Sequence, residues 1–390
     1  MIIETLKLKD FRNYEALEIA PHPGVNLLFG QNGSGKTNLL EAVHYCALGR
    51  SHRTSQDMEV VRKGAMAAAV GVTVRKADGR HDVAVKLTPN EMRKKHVFLD
   101  NKRAAKIGDM MGRLQCVIFS PEDLMLVKDG PSVRRRFLDM MLSQLSPQYF
   151  LALQQYQKAM EQRNALLREA KKGARLDRAM IEAFENGMAA PGEKIIIERR
   201  RMLATISECA ARKYGQISGR PGEQFTMAYS CCLDGENDLA QRIYEGLNSS
   251  RQEDIYRGTT GFGVHREDID LSLMGREMKL FASQGQIRTA ALSIKLAQLE
   301  VFRSITGEAP VLLLDDVMSE LDMNRRTRLI DEISGVQTFI TCTDASDIDG
   351  SLERRSYQVR MTSAATGDVR ELSEGEAYEQ YEEDEDPDFT

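Results

Sequence analysis

Apolar residues recur along this chain in two rhythms, and the changes of rhythm mark its parts. Residues 2–8, 17–19 and 25–29 read as strands, the last running into Gly30 and a helical pattern over 37–48. Over 67–100 the period falls to two. Val70, Val72 and Val74 alternate, then Val83, Val85 and Leu87, then residues 97–99, with Asp78-Gly79 as the hairpin signal between the first two runs. A further strand is expected over 114–119, ending at Pro121. Over 132–218 the pattern becomes that of amphipathic helices, poor in β-branched residues, with breaks expected at Gly173 and Pro191-Gly192. Three or four helices fit there, far short of a long coiled-coil arm.

Strand character returns over 225–233, followed by a helix over 237–247 and a strand pair over 264–280 around Gly275. The remainder alternates again: a helix after Gly285, a strand over 311–314, a helix over 324–333 and a strand over 338–341. Elements of one core thus lie at both ends of the chain, interrupted by what stands between them. The expected fold class is α/β, with an antiparallel β subdomain and an inserted α-helical subdomain.

Composition adjusts this picture at three points. An apolar fraction of 42% over 390 residues supports a sizeable core. The longest uncharged, mostly small or apolar run, 65–74, is far below the roughly 18 residues of a membrane span, and no basic-then-apolar leader opens the chain. A cytoplasmic protein with no membrane partner is expected. The formal charge of −5 conceals a division, because residues 371–390 hold ten acids and no base. The rest is basic, and the acidic end reads as a disordered tail over 366–390. The six cysteines show no CxxC spacing and the histidines no metal-ligand pair, which argues against zinc or a disulfide framework.

The chemistry concentrates in three motifs. Gly30-Gln31-Asn32-Gly33-Ser34-Gly35-Lys36-Thr37 satisfies GxxxxGK[ST] between a strand and a helix. Its glycines let backbone N–H groups turn onto phosphate oxygens, Lys36 reaches the β- and γ-phosphates, and Thr37 offers a hydroxyl to Mg²⁺. ATP with Mg²⁺ is the expected ligand. In Val311-Leu312-Leu313-Leu314-Asp315-Asp316 an apolar strand ends in two carboxylates. Asp315 is placed to hold Mg²⁺ with Thr37, and Asp316 to orient or deprotonate the attacking water. Ser283-Gln284-Gly285-Gln286 opens a helix, so that Ser283 and Gly285 form a second anion site. One phosphate loop has little use for two such sites unless two chains meet head to tail, each Ser283 capping the ATP held by the other's Lys36.

With Ser319-Glu320-Leu321-Asp322 after the carboxylate strand, these motifs outline an ABC-type P-loop ATPase head. The chain resembles the RecF family of bacterial recombination and gap-repair proteins, relatives of the SMC heads. The resemblance is carried by Leu8-Lys9-Asp10-Phe11-Arg12-Asn13-Tyr14, the loop extended through Glu41-Ala42, Gly49-Arg50-Ser51-His52-Arg53-Thr54, Ser120-Pro121-Glu122-Asp123-Leu124, Arg134-Arg135-Arg136-Phe137-Leu138-Asp139 and the stretch 313–322. It covers about residues 1–360. Two departures stand out: Gly263-Val264-His265-Arg266-Glu267-Asp268 lacks the family's usual proline, and the acidic tail is foreign to it.

The resemblance implies a weak DNA-dependent ATPase that dimerises with ATP, binds duplex DNA near single-strand gaps, and works with RecR and RecO in loading recombinase. The expected parts are 1–130 and 221–365 as the two portions of the ATPase head, 131–220 as the helical insert, and 366–390 as the tail. Basic clusters at Arg93-Lys94-Lys95-His96, Lys102-Arg103 with Lys106, 134–136 and 199–201 are candidates to track phosphates. The alternative is the ATPase subunit of an ABC-type membrane transporter. Against it stand the 247 residues separating Lys36 from Ser283 and the absence of a histidine after the strand over 338–341, where Cys342-Thr343 leave the γ-phosphate sensor unassigned. A rod-forming SMC protein would need hundreds of heptad residues that are not there.

Overall fold

The alternating residues of the first hundred positions build one antiparallel sheet. It contains β1 (Ile2–Phe11), β2 (Tyr14–Ile19), β4 (Ala68–Lys76), β5 (Gly79–Leu87), β6 (Lys95–Leu99) and β7 (Lys102–Arg103), in the order β2-β1-β4-β5-β6-β7. Val70 pairs with Val85 and Val72 with Val83, and all four are buried, so the period-two pattern does define one covered face. The hairpin closes through Ala77-Asp78, with Gly79 already paired to Lys76 at a φ of 133° that favours glycine.

This computed structural model describes residues 1–54, 56–91, 94–220, 222–344, 354–361 and 366–372. The chain divides into two units, Met1–Asp123 with Phe302–Thr390, and Leu124–Val301.

The first unit also holds the core that the sequence splits between its ends. β3 (Val25–Phe29), β8 (Cys116–Phe119), β12 (Val311–Asp315), β13 (Thr338–Cys342), β14 (Arg354–Met361) and β15 (Gly367–Leu372) lie in the order β15-β14-β3-β13-β12-β8. Every neighbouring pair is parallel except β14 with β15. β3, β12 and β13 are buried along their whole length, which is why they read as continuous apolar runs rather than alternations. Helices α1 (Lys36–Leu48) and α10 (Met323–Ile333) belong to the same unit.

β14 and β15 correct the expected boundary of the tail. Residues 367–372 are a paired strand, hidden in sequence because Tyr357 and Val359 alternate with charged and polar neighbours in a two-stranded edge. Residues 373–390 of the expected acidic tail lie outside the described residues.

In the second unit α2 (Met125–Lys128), α3 (Pro131–Leu145), α4 (Pro147–Lys171), α5 (Arg178–Ser218), α6 (Leu239–Ser249), α7 (Arg251–Arg257), α8 (Met278–Phe281) and α9 (Gln284–Thr306) accompany a small sheet of β9 (Phe225–Ser230), β10 (Asp268–Leu273) and β11 (Arg276–Glu277), ordered β11-β10-β9. Gly173, at φ 97°, falls between α4 and α5 as expected. Pro191-Gly192 does not break α5, which runs on for 41 residues with Pro191 inside it. Close packing explains the correction: a Cβ on Gly192 would lie 2.9 Å from Ile243 and 3.4 Å from Tyr156, and Met188, Ala189, Ile195 and Ile196 around it are buried. The burial of that face outweighs the hydrogen bond that proline forgoes. Arg163, fully buried on α4, ties the helices together through Glu185 at 3.0 Å, Asp254 at 2.7 Å and the carbonyl of Leu247 at 2.9 Å. Among the described residues no helix is long and apolar enough to cross a membrane.

Candidate nucleotide site

β3 delivers the chain to Gly30, and the turn from there into α1 depends on glycine. Gly30, Gly33 and Gly35 have φ of 145°, 82° and 115°. Gly30 has a second reason: a Cβ there would sit 2.2 Å from the carbonyl oxygen of Val359 on β14. At Gly35 it would meet the Asn13 side chain at 2.5 Å, and Asn13 donates to the carbonyl of Ser34 at 2.9 Å. Lys36 folds back over the loop, donating from Nζ to the carbonyls of Gly30 and, at 3.0 Å, Gln31. Burial lowers its pKa, and the nearby Cys342, Asp316 and Asp315 oppose that shift.

The carboxylate strand β12 meets the loop at Thr37, whose hydroxyl donates to Asp315 Oδ1 at 2.8 Å. Thr341 on β13 donates to the same oxygen at 2.8 Å. Burial raises the Asp315 carboxyl above the usual aspartate range, against the pull of these two hydroxyls. Asp316 turns out of the strand at φ 53°, a conformation uncommon outside glycine, and its N–H is received by Thr341 Oγ1 at 2.9 Å. Ser319 holds the Asp316 carbonyl at 2.9 Å, and Asp322 caps α10 through the Arg325 N–H. A cleft of about 320 Å³ is lined by loop residues Asn32, Gly33, Gly35, Lys36 and Thr37, by Asn38 and Arg53, and by Asp315, Asp316, Thr341 and Thr343. Gly30, Gln31 and Ser34 are not among the lining residues.

Two segments singled out only by resemblance converge on Glu41 of α1. Arg12 grips this fully buried carboxylate with Nε at 2.7 Å and Nη2 at 2.6 Å, and Ser51 donates to it as well. Burial alone would raise the Glu41 pKa, but the bonds from Arg12 and Ser51 and the Arg12 charge take it below the ordinary range. Arg53, which lines the cleft, lies 3.8 Å from Glu41 and donates to Asn38 at 3.0 Å. Glu41 thus joins the turn after β1 and the segment after α1 to the helix that starts at the loop. Glu41→Gln is expected to lower the unfolding free energy by about 2 kcal/mol in urea titrations near neutral pH. Since the folded-state pKa is depressed, that contribution is complete above the unfolded value and is lost as pH falls through the folded one, so the gap between parent and variant narrows in acid.

Ser283 and Gly285 belong to the second unit, at the start of α9. Ser283 is exposed and closes a reciprocal cap: its Oγ accepts the Gln286 N–H at 3.3 Å while Gln286 Oε1 accepts the Ser283 N–H at 2.9 Å. The basic clusters fall into two kinds. Arg134 forms a bidentate pair with Asp268, and fully buried Arg199 pairs with Asp139 and Glu267, so these two are internal struts rather than phosphate contacts. Lys95 is likewise engaged, with Asp57 at 2.8 Å and the Tyr45 ring. Lys94, Lys102 and Lys106 are exposed in and beside the β6–β7 hairpin, whereas Arg93 lies outside the described residues.

The profile of the RecF/RecN/SMC N terminal domain matches residues 2–366. The DNA replication and repair protein RecF of Ruminiclostridium cellulolyticum is 40% identical over 361 residues, covering 91% of this chain and 96% of that one. The chain belongs to the RecF family. RecF of Acetivibrio thermocellus is 41% identical over 350 residues, 88% of this chain and 94% of its own. Among solved structures, the recombination mediator protein RecF with ATP in the RecFOR pathway superposes with a TM-score of 0.86 at 33% identity, over 95% of this chain and 98% of that one. An SMC head bound to the C-winged helix domain of ScpA shares the fold at a TM-score of 0.57 and 16% identity, over 97% and 100% of the two chains. The expected ABC-type ATPase head, mixed α/β with antiparallel sheets, is therefore the fold of this RecF-family chain. Neither the family match nor these structures point to a membrane transporter.

Proposed function

We propose that the chain is an ATP-dependent DNA-binding protein of recombinational gap repair and replication restart. ATP draws two chains together head to tail on duplex DNA near single-strand gaps, and slow, DNA-dependent hydrolysis releases them. The bound state assists recombinase loading together with RecR and RecO, partners that family resemblance supplies. The observation that carries the nucleotide part is the 2.8 Å bond from Thr37 to Asp315, which joins the phosphate loop to the carboxylate strand on one cleft wall.

Backbone N–H groups from Gly30 to Thr37 receive the phosphates at the positive end of α1, and Lys36 moves from its carbonyls onto the β- and γ-phosphates. Thr37 and Asp315 offer paired hard oxygen donors, a set that suits Mg²⁺, which when bound neutralises phosphate charge. Asp316, held at the cleft by Thr341 and Ser319, orients the attacking water. Ser283 of a second chain closes the γ-phosphate side: its oxygen accepts from Gln286, which leaves its own O–H to donate, and Gly285 permits close approach.

The decisive measurement is particle mass with and without ATP and a gapped duplex. The expected result is a monomer alone, a dimer with ATP, and a dimer on DNA when both are present. A monomer under all conditions refutes the reading. For the DNA contact, a Lys94→Glu, Lys102→Glu, Lys106→Glu protein is expected to bind duplex more weakly and to lose about 0.9 from the salt slope for each phosphate contact removed. An unchanged slope takes this hairpin out of the footprint.

A further inference from the structure

The pairing of β9 with β10 sets Ser230 opposite Asp268. The next residues outward, Cys231 and Glu267, therefore meet where the ladder ends. Cys231 Sγ lies 3.1 Å and Cys232 Sγ 3.4 Å from the same carboxylate oxygen, Glu267 Oε1. One ligand atom from each of the three residues falls within 4.8 Å of the other two. The second oxygen, Oε2, is held by Arg199 Nη1 at 2.9 Å and by the Tyr229 hydroxyl. These bonds fix the plane of a carboxylate that is 2% exposed and keep Oε1 toward the sulfurs. Arg200 Nη2 approaches Cys231 Sγ at 3.4 Å, an N–H placed to stabilise a thiolate.

Two sulfurs and one oxygen are a poor set for Mg²⁺ or Ca²⁺, which prefer oxygen, and a good one for zinc. With zinc bonds of about 2.3 Å to sulfur and 2.0 Å to oxygen, tetrahedral geometry separates the two ligand atoms by about 3.5 Å. The observed separations of 3.1 and 3.4 Å are already close to that. Arg199 and Tyr229 stand toward Glu267 as outer partners stand toward a metal-bound carboxylate.

We propose that Cys231, Cys232 and Glu267 form a binding site for one thiophilic divalent cation of the zinc class, with water in the fourth position. Binding exchanges protons for metal: Zn²⁺ and two thiols give a zinc dithiolate and release two protons, so affinity falls as pH falls. Two thiolates and the carboxylate exceed the ion's charge by one, and the guanidinium groups of Arg199 and Arg200 face that excess. The sequence conceals the site because its third ligand comes 35 residues after Cys232.

The test uses the full chain, stripped with a chelator under reducing conditions and titrated with Cd²⁺ as probe. One Cd²⁺ per chain is expected, with an ultraviolet sulfur-to-metal charge-transfer band that Zn²⁺ displaces and Mg²⁺ does not. The band is expected to vanish in Cys231→Ser/Cys232→Ser and to persist in Cys209→Ser. Glu267→Gln, which keeps one acceptor oxygen for Arg199 and Tyr229 and puts an amide nitrogen toward the sulfurs, is expected to bind about tenfold or more weakly. Absence of the band in the parent, its survival in the double serine protein, or full affinity in Glu267→Gln would overturn the proposal.

Discussion

Replacing Ser283 with arginine is expected to abolish ATP-induced dimerisation while leaving the ATP affinity of the single chain within about twofold of the parent. Ser283 is exposed at the start of a 23-residue helix, and its short side chain caps that helix by accepting the Gln286 N–H. Arginine removes the cap, at a cost of about 1 kcal/mol to the helix end. It also sets a cation on the positive end of the helix dipole and, in the proposed dimer, would fill the space for the triphosphate held by the other chain. The described residues that line the cleft with Lys36 and Thr37 include none of α9, so the variant's own nucleotide site is expected to stay intact. Sedimentation with ATP reads the dimer, and equilibrium binding of a fluorescent ATP analogue reads the monomer. Normal dimerisation by the Ser283→Arg protein would sink the composite site, whatever became of hydrolysis.

A second large effect is expected at Lys36. Arginine retains the positive charge, so nucleotide binding survives, but turnover falls by about 10²–10³-fold. The reason is geometric. Lys36 Nζ is a compact donor seated on the carbonyls of Gly30 and Gln31, whereas a guanidinium is planar and wider and directs its N–H groups in a fixed fork. Charge pairing with the phosphates tolerates that change better than the placement required as charge develops on the leaving phosphate. Single-turnover hydrolysis beside direct binding separates the two. Turnover equal to that of the parent would remove Lys36 from the reacting centre.

The phosphate loop was legible because its backbone needs glycine at defined positions and admits little else. β3, β12 and β13 were legible because strands buried on both faces leave unbroken apolar runs. β14 and β15 escaped because Tyr357 and Val359 are diluted by arginines and acids on a half-exposed edge. Pro191 misled for the opposite reason: a strong local breaker was overruled by packing around Gly192 that no local rule registers. Charge was the least readable property. Arg134 and Arg199 each open a run of three arginines that reads as a surface cluster, yet their partners Asp268, Asp139 and Glu267 are distant along the chain. The same holds for Glu41, whose grip by Arg12 and Ser51 follows no periodicity.

The neighbours of β3 carry one further consequence. The strand that ends at the phosphate loop is flanked by β13 and β14, both drawn from residues beyond 337, and Val359 sits directly against Gly30. During synthesis the loop 30–37 precedes the strands that flank β3 by roughly three hundred residues. A nascent or truncated chain that stops before β13 has the whole GxxxxGKT sequence but no sheet to hold it. A chain cut before β13 is therefore expected to lose ATP binding, and with it the dimer proposed above.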